Sequence, residues 1–138
     1  MRFLRCMETQ MTDKPELDLE DMVESKQHER LKCHIGRLLT DRGWNVKIDK
    51  LIFEAWSHRF QRFVPMKPDV FAEKSMHGLS RKLYIEVHGP KFHSQKHDRR
   101  QQEDILEAYP DFLYFEFHFW QLKNMPDKII LQELGIEE

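Results

Sequence analysis

The sequence has little of what marks secreted or membrane proteins. Its 2 cysteines, Cys6 and Cys33, show neither the CxxC spacing of a zinc ribbon nor the framework of a disulfide-rich domain. We therefore expect reduced thiols in an intracellular protein, with cytoplasm, nucleus and organelle all left open. No apolar run approaches the roughly 20 residues that a membrane-spanning helix needs. No membrane partner is expected.

A strong charge of one sign is also missing, since the formal net charge is −2. The distribution is more informative, because residues 88–100 hold lysines, arginines and histidines against a single acid. A nucleic-acid site needs only a local basic patch on an otherwise balanced surface. This segment is therefore compatible with contact to a phosphate backbone.

One domain accounts for the length and composition. A chain of 138 residues with 40% hydrophobic content can bury one modest core. We expect residues 1–17 to form a flexible N-terminal segment and residues 18–138 to form a single domain.

The hydrophobic pattern predicts an α/β domain with the element order α-β-β-β-α-β-α. The predicted elements, in chain order, are a helix over residues 17–42, one long or two short strands within 44–56, a basic and aromatic loop over 57–62, a strand over 64–72, a turn over 74–81, a strand over 82–88, a helix over 94–109, a strand over 112–119 and a helix over 126–134.

Two acidic residues lie on neighbouring predicted strands. Asp69 follows Pro68 at the start or middle of one strand, and Glu86 lies on the next, where alternation puts His88 on the same face. Two carboxylates that meet at one sheet edge would suit Mg²⁺ or Mn²⁺. The alternatives are a turn aspartate after proline and a solvated glutamate on a one-sided sheet.

The order Pro68-Asp69, then Glu86-Val87-His88 on an apolar strand, then a polar helix and another strand, resembles the PD-(D/E)XK nuclease core. The resemblance implies a restriction-endonuclease-type core, three-layer-like, with a mixed central sheet flanked by helices. It implies metal ligation by the Asp69 and Glu86 carboxylates and by the Val87 carbonyl. The family has lysine where His88 stands, so His88, or Lys91 nearby, would assist the attacking water.

A second resemblance covers a longer run of residues. Residues 85–93, IEVHGPKFH, are similar to the IEVDGPxHF signature of RAP domains, with His88 in place of Asp and one residue inserted before His93. Trp120-Gln121-Leu122, with Lys128 and Leu131, is similar to the closing part of those domains. Very-short-patch-repair-like endonucleases carry a comparable run. RAP domains are associated with RNA, mostly in organelles.

Further residues complete the predicted site. The first helix of the nuclease family often adds an acid, for which Glu24 and Glu29 are the candidates. Aromatic and cationic side chains alternate around residues 56–62, as on single-strand binding surfaces, although a half-buried amphipathic loop explains them equally well. The residues expected to contact nucleic acid are His93, Lys96, His97, Arg99, Arg100, Arg59 and Arg62.

Three functional hypotheses follow from these patterns. The first is a Mg²⁺- or Mn²⁺-dependent nuclease that hydrolyses phosphodiester bonds of DNA or RNA. The second is a RAP-like RNA-binding module without chemistry. The third is a structural component of a larger nucleic-acid-protein assembly, and a homodimer is also conceivable.

Overall fold

The computed structural model describes residues 24–51, 53–88 and 95–136. In chain order, the elements of this part are α1 (Glu24–Thr40), β1 (Asn45–Ile48), β2 (Phe53–Ser57), β3 (Arg62–Met66), β4 (Val70–Met76), β5 (Leu79–His88), α2 (Gln95–Ala108), β6 (Phe112–His118), α3 (Phe119–Leu122) and α4 (Asp127–Glu133).

The central sheet has four strands in the order β1-β4-β5-β6. β4 pairs antiparallel with both β1 and β5, whereas β5 and β6 are parallel and are joined through α2. β2 and β3 pair with each other as a separate antiparallel sheet. The prediction of an α/β domain with a mixed sheet flanked by helices is confirmed.

Alternation along β5 divides the protein interior into two cores. Leu83, Ile85 and Val87 face α1, where they join buried residues of α1 and α4. Tyr84 faces the opposite way and packs with residues of the β2–β3 hairpin, α2 and β6. The sheet is therefore covered by helices on one face and by the hairpin together with α2 on the other.

One predicted strand, residues 64–72, is in fact two strands that belong to different sheets. β3 ends at Met66, and β4 begins at Val70. Pro68 lies between them and cannot donate a ladder hydrogen bond, so the chain leaves the hairpin here and enters the central sheet. The predicted turn over residues 74–81 is also shorter than expected, because β4 and β5 continue to Met76 and Leu79.

The cysteine prediction is wrong for Cys33, which is buried on α1 and is disulfide-bonded. Cys6 and the predicted flexible segment, residues 1–17, lie outside the described residues.

The helices of the described part include no candidate for a membrane span, since none is both long and apolar enough.

Candidate functional site

Asp69 lies at the end of the central sheet, directly before the first residue of β4. Its Oδ2 accepts a hydrogen bond from the Val87 backbone N–H at 2.7 Å. The carboxylate thus occupies the place on β5 that a further residue of β4 would fill, and it is held beside the segment that carries Glu86. The predicted convergence of two strands at one sheet edge is present at this position.

Glu86 is a largely buried acid next to Asp69. Burial and the adjacent negative charge of Asp69 raise the pKa of Glu86 to about 9. Glu116, directly opposite on β6, adds a smaller effect in the same direction. Asp69 and Glu116 therefore both disfavour the charged form of Glu86, which favours a proton or a cation next to that carboxyl group.

Two tyrosines extend the same face of the sheet, Tyr84 fully buried and Tyr114 half-buried. Tyr84 and Tyr114 stack with ring centroids 5.2 Å apart on adjacent strands. Burial, together with the charge of Glu86, raises the pKa of both hydroxyls. Among the described residues the Tyr84 hydroxyl has no hydrogen-bond partner of good geometry. The acids therefore lie next to an aromatic surface formed by Tyr84 and Tyr114.

α1 contributes two cationic or ionisable side chains that the sequence argument missed. His28 Nε2 contacts the Val87 carbonyl oxygen and lies 3.9 Å from Asp69 Oδ2. Lys32 Nζ lies 3.9 Å from Asp69 Oδ1. The two residues are one helical turn apart, so they share a face of α1. The Val87 carbonyl, predicted as a metal ligand, is therefore at the site and already has a polar partner.

Lys32 connects several acids around Asp69, although only 5% of the residue is exposed. Its Nζ lies 2.7 Å from Asp49 Oδ2 and 3.2 Å from Glu29 Oε2. Asp49 in turn donates its backbone N–H to the Asp69 carbonyl oxygen. Of the two candidate acids from the first helix, Glu29 is therefore linked to the site through Lys32. The side chain of Glu24 lies outside the described residues.

His88, the residue in the expected lysine position, shares the face of Glu86 as predicted. Its Nε2 lies 3.6 Å from Glu116 Oε2, and its ring centroid is 5.8 Å from that of His118. An imidazole beside a carboxylate can accept and pass on a proton.

The predicted phosphate-contacting residues fall into two groups. Arg59 and Arg62 are exposed around the turn of the β2–β3 hairpin, and Arg99 and Arg100 are exposed on α2. Lys91 and His93 lie outside the described residues, as do the side chains of Lys96 and His97.

A second polar cluster joins the hairpin turn to α2. His58 Nδ1 lies 3.7 Å from Asp104 Oδ1, and His58 Nε2 lies 3.3 Å from Glu107 Oε2. Histidine, cysteine, aspartate and glutamate side chains can bind a metal ion when three of them lie close together. Within the described ranges, His58, Asp104 and Glu107 are the one such group whose ligand atoms all lie within 4.8 Å of one another. Asp104 also accepts the His58 backbone N–H. These contacts fasten the turn to the helix, and no sequence spacing pointed to them.

The donor set at the end of the sheet fits a hard divalent cation. It offers the carboxylates of Asp69 and Glu86 and the Val87 carbonyl oxygen, which contacts His28. Mg²⁺ and Mn²⁺ prefer oxygen donors of these kinds. A cation would also offset the repulsion that raises the pKa of Glu86.

Comparisons of the chain with protein-family models, with curated proteins and with solved structures found no match.

Proposed function

We propose that the protein is a metal-dependent nuclease that hydrolyses phosphodiester bonds of DNA or RNA. The observation that carries the proposal is the meeting of Asp69 and Glu86 at one end of the central sheet, with Asp69 bound to the backbone of Val87. Asp69, Glu86 and the Val87 carbonyl would hold Mg²⁺ or Mn²⁺. When bound, such an ion supplies positive charge for a phosphate oxygen and lowers the pKa of water.

Side chains of the protein supply proton transfer, the positioning of Asp69 and contact with the phosphate backbone. His88, whose Nε2 lies 3.6 Å from Glu116 Oε2, accepts the proton of the attacking water. The water oxygen attacks phosphorus, the bond from phosphorus to the leaving oxygen breaks, the leaving oxygen takes up a proton from solvent, and His88 returns its proton to solvent. Lys32 and the α1 contacts hold Asp69 in place. Arg99 and Arg100 are placed on the exposed surface of α2, where they can contact the phosphate backbone.

Conservative substitutions at the two acids test this proposal. Asp69→Asn keeps an oxygen that can accept the Val87 N–H, and Glu86→Gln keeps the shape of the half-buried side chain. Both remove the negative charge that a cation needs. We expect Mg²⁺- or Mn²⁺-dependent cleavage of labelled oligonucleotides by the native protein, with each variant reducing the rate at least ~100-fold because the ion is lost.

Glu133→Gln provides the matched control, since Glu133 is an exposed acid on α4, outside the site. It should cleave at the native rate. Circular dichroism and thermal unfolding would establish that all three variants are folded. Native rates in folded Asp69→Asn and Glu86→Gln would refute the proposal, and so would the absence of cleavage of every single-stranded or duplex DNA and RNA by the native protein.

The contacts of Asp69 also favour a second candidate function. The Lys32 ammonium lies 3.9 Å from its carboxylate, so a protein cation already offsets part of its charge, and His28 Nε2 lies at the same distance. This arrangement suits a RAP-like RNA-binding module that keeps the fold without the chemistry. Tight RNA binding in EDTA, together with no cleavage in Mg²⁺ or Mn²⁺, would favour this alternative.

A further inference from the structure

The β2–β3 hairpin exposes aromatic side chains on the surface that faces away from the core. Trp56 and Phe63 are directly paired across the two strands, and their rings meet edge to face at 5.2 Å. They are 39% and 63% exposed. The opposite surface of the same strands carries the buried Ala55 and Met66. The hairpin is therefore already anchored by its inner surface, and packing of the described core does not account for the outer aromatic pair.

The β2–β3 hairpin also carries positively charged side chains at its turn and at its base. At the hairpin turn, the guanidinium carbons of Arg59 and Arg62 lie 4.9 and 5.8 Å from the centroid of the Phe60 ring. Lys50 and Lys67 are exposed on either side of the hairpin, next to the other ends of its strands. Glu54 is the single acid in residues 50–67. The hairpin is thus cationic within a chain of net negative charge, which suits a polyanion rather than a second copy of the chain.

The turn is held rigidly. Ser57 Oγ accepts the Phe60 backbone N–H at 3.2 Å, and the Gln61 backbone N–H donates to the Ser57 carbonyl at 2.8 Å. The contacts of His58 with Asp104 and Glu107 fasten the same turn to α2. A fixed surface loses little conformational entropy when a ligand binds.

The hairpin leads directly into the candidate site. β3 ends at Met66, and only Lys67 and Pro68 separate it from Asp69. A strand of nucleic acid that follows the hairpin from its turn toward its base therefore arrives at the end of the central sheet, where the acids lie.

We propose that the β2–β3 hairpin is a stacking platform for single-stranded nucleic acid. Unpaired bases stack on Trp56 and Phe63, and Arg59 and Arg62 contact the phosphates. Stacking on aromatic side chains requires exposed base faces, which a duplex does not offer outside its ends. The inference rests on the proposed function and specifies its substrate as single-stranded.

The test measures binding without cleavage. Fluorescence anisotropy in EDTA and low salt would compare labelled oligo-dT, oligo-rU and duplexes of the same length. We expect the native protein to bind at least one single strand more tightly than the duplexes. Trp56→Ala and Phe63→Ala should each weaken that binding roughly tenfold. Trp56→Phe should retain most of the affinity, because it keeps an aromatic face.

Two further variants distinguish the contribution of base stacking to affinity from that of charge and from the general effect of removing an exposed aromatic side chain. Trp120→Ala removes an indole that is 62% exposed elsewhere on the protein, and it should leave affinity unchanged. Arg62→Ala should reduce the slope of log affinity against log salt by about 1. Circular dichroism of each variant would verify that the fold is retained.

Several results would overturn the inference. These are tighter binding to duplexes, unchanged affinity in both aromatic variants, an equal loss in Trp120→Ala, or a native dimer that the hairpin substitutions convert to a monomer. The last result would identify the surface as an interface between copies. The outcome is distinguishable from that of the nuclease proposal. Duplex cleavage without single-strand binding would refute only the stacking platform. Single-strand binding without cleavage in Mg²⁺ or Mn²⁺ would refute only the nuclease activity.

Discussion

Glu86 illustrates how a single half-buried acid couples pH to stability. Its pKa is about 9 in the folded protein against an ordinary 4.5, chiefly because of burial and then because of Asp69. Between these two pH values the folded state holds a proton that the unfolded state releases. The free energy of unfolding therefore falls as the pH rises through this window.

We predict that Glu86→Gln makes the metal-free protein less sensitive to pH. Thermal unfolding in EDTA at pH 5.5 and pH 8.5 should show a smaller loss of stability for the variant than for the native protein. Between pH 5.5 and pH 8.5, the free energy of unfolding of the variant should fall by on the order of 1–3 kcal/mol less than that of the native protein. Glu133→Gln serves as the control on an exposed surface. If the stability of Glu86→Gln depended on pH in the same way as that of the native protein, Glu86 would not be the source of the pH dependence.

The sequence reveals some residues of the site and conceals others for a physical reason. Asp69 and Glu86 could be predicted because a proline bend and strand alternation place them at defined positions. His28 and Lys32 could not, since a helical pattern shows which residues are polar but not which of them meets a sheet end. The buried position of Lys32 between Asp49 and Asp69 depends on where α1 packs.

At the scale of elements, the hairpin and the central sheet are joined by packing rather than by strand pairing. Phe53 is central to this contact, with its ring centroid 4.8 Å from that of Phe112 and 4.9 Å from that of Phe71. Local opening of the hairpin can therefore occur while β4 and β5 stay paired.

We predict that Phe53→Ala loosens the hairpin selectively. The substitution should cost about 3 kcal/mol of global stability, as for other large aromatic side chains in a core. It should also increase amide hydrogen exchange in β2 and β3 more than in β4 and β5. Trp56→Ala, on the outer surface of the same strand, should cost less than about 1 kcal/mol. Uniform acceleration of exchange in all strands would contradict a separate hairpin unit.

Most element types could be predicted from the sequence, but the grouping of strands into sheets could not. Alternation in β5 and the apolar run of β6 indicate strands whatever their partners. The chain from residue 64 to residue 72 is extended on both sides of Pro68, so it resembles a single strand. Only the three-dimensional packing shows that β3 pairs with β2 while β4 pairs with β1 and β5.

At the scale of the whole molecule, a cation at Asp69 and Glu86 would join the start of β4 to β5. A ligand that binds only the folded state raises its stability, by about 2.7 kcal/mol at 100 times the dissociation constant. Binding must also displace the proton that Glu86 holds below about pH 9.

We predict that Mn²⁺ or Mg²⁺ raises the unfolding temperature and that the increase is larger at pH 8.5 than at pH 6. Calorimetry in buffers of different ionisation enthalpy should detect proton release on binding. Asp69→Asn and Glu86→Gln should abolish the increase, whereas Glu133→Gln should preserve it. An equal increase in all variants would place the bound ion elsewhere, for example at His58, Asp104 and Glu107.

The parallel pairing of β5 with β6 has a consequence for synthesis on the ribosome. β4 can cover one side of β5 as soon as both strands have emerged, but the other side is covered only after α2 and β6 have been made. During that interval the nascent chain carries an apolar strand with unpaired backbone groups, which invites aberrant pairing between neighbouring polypeptides. A chain halted before Phe112 should therefore be a strong client for chaperones.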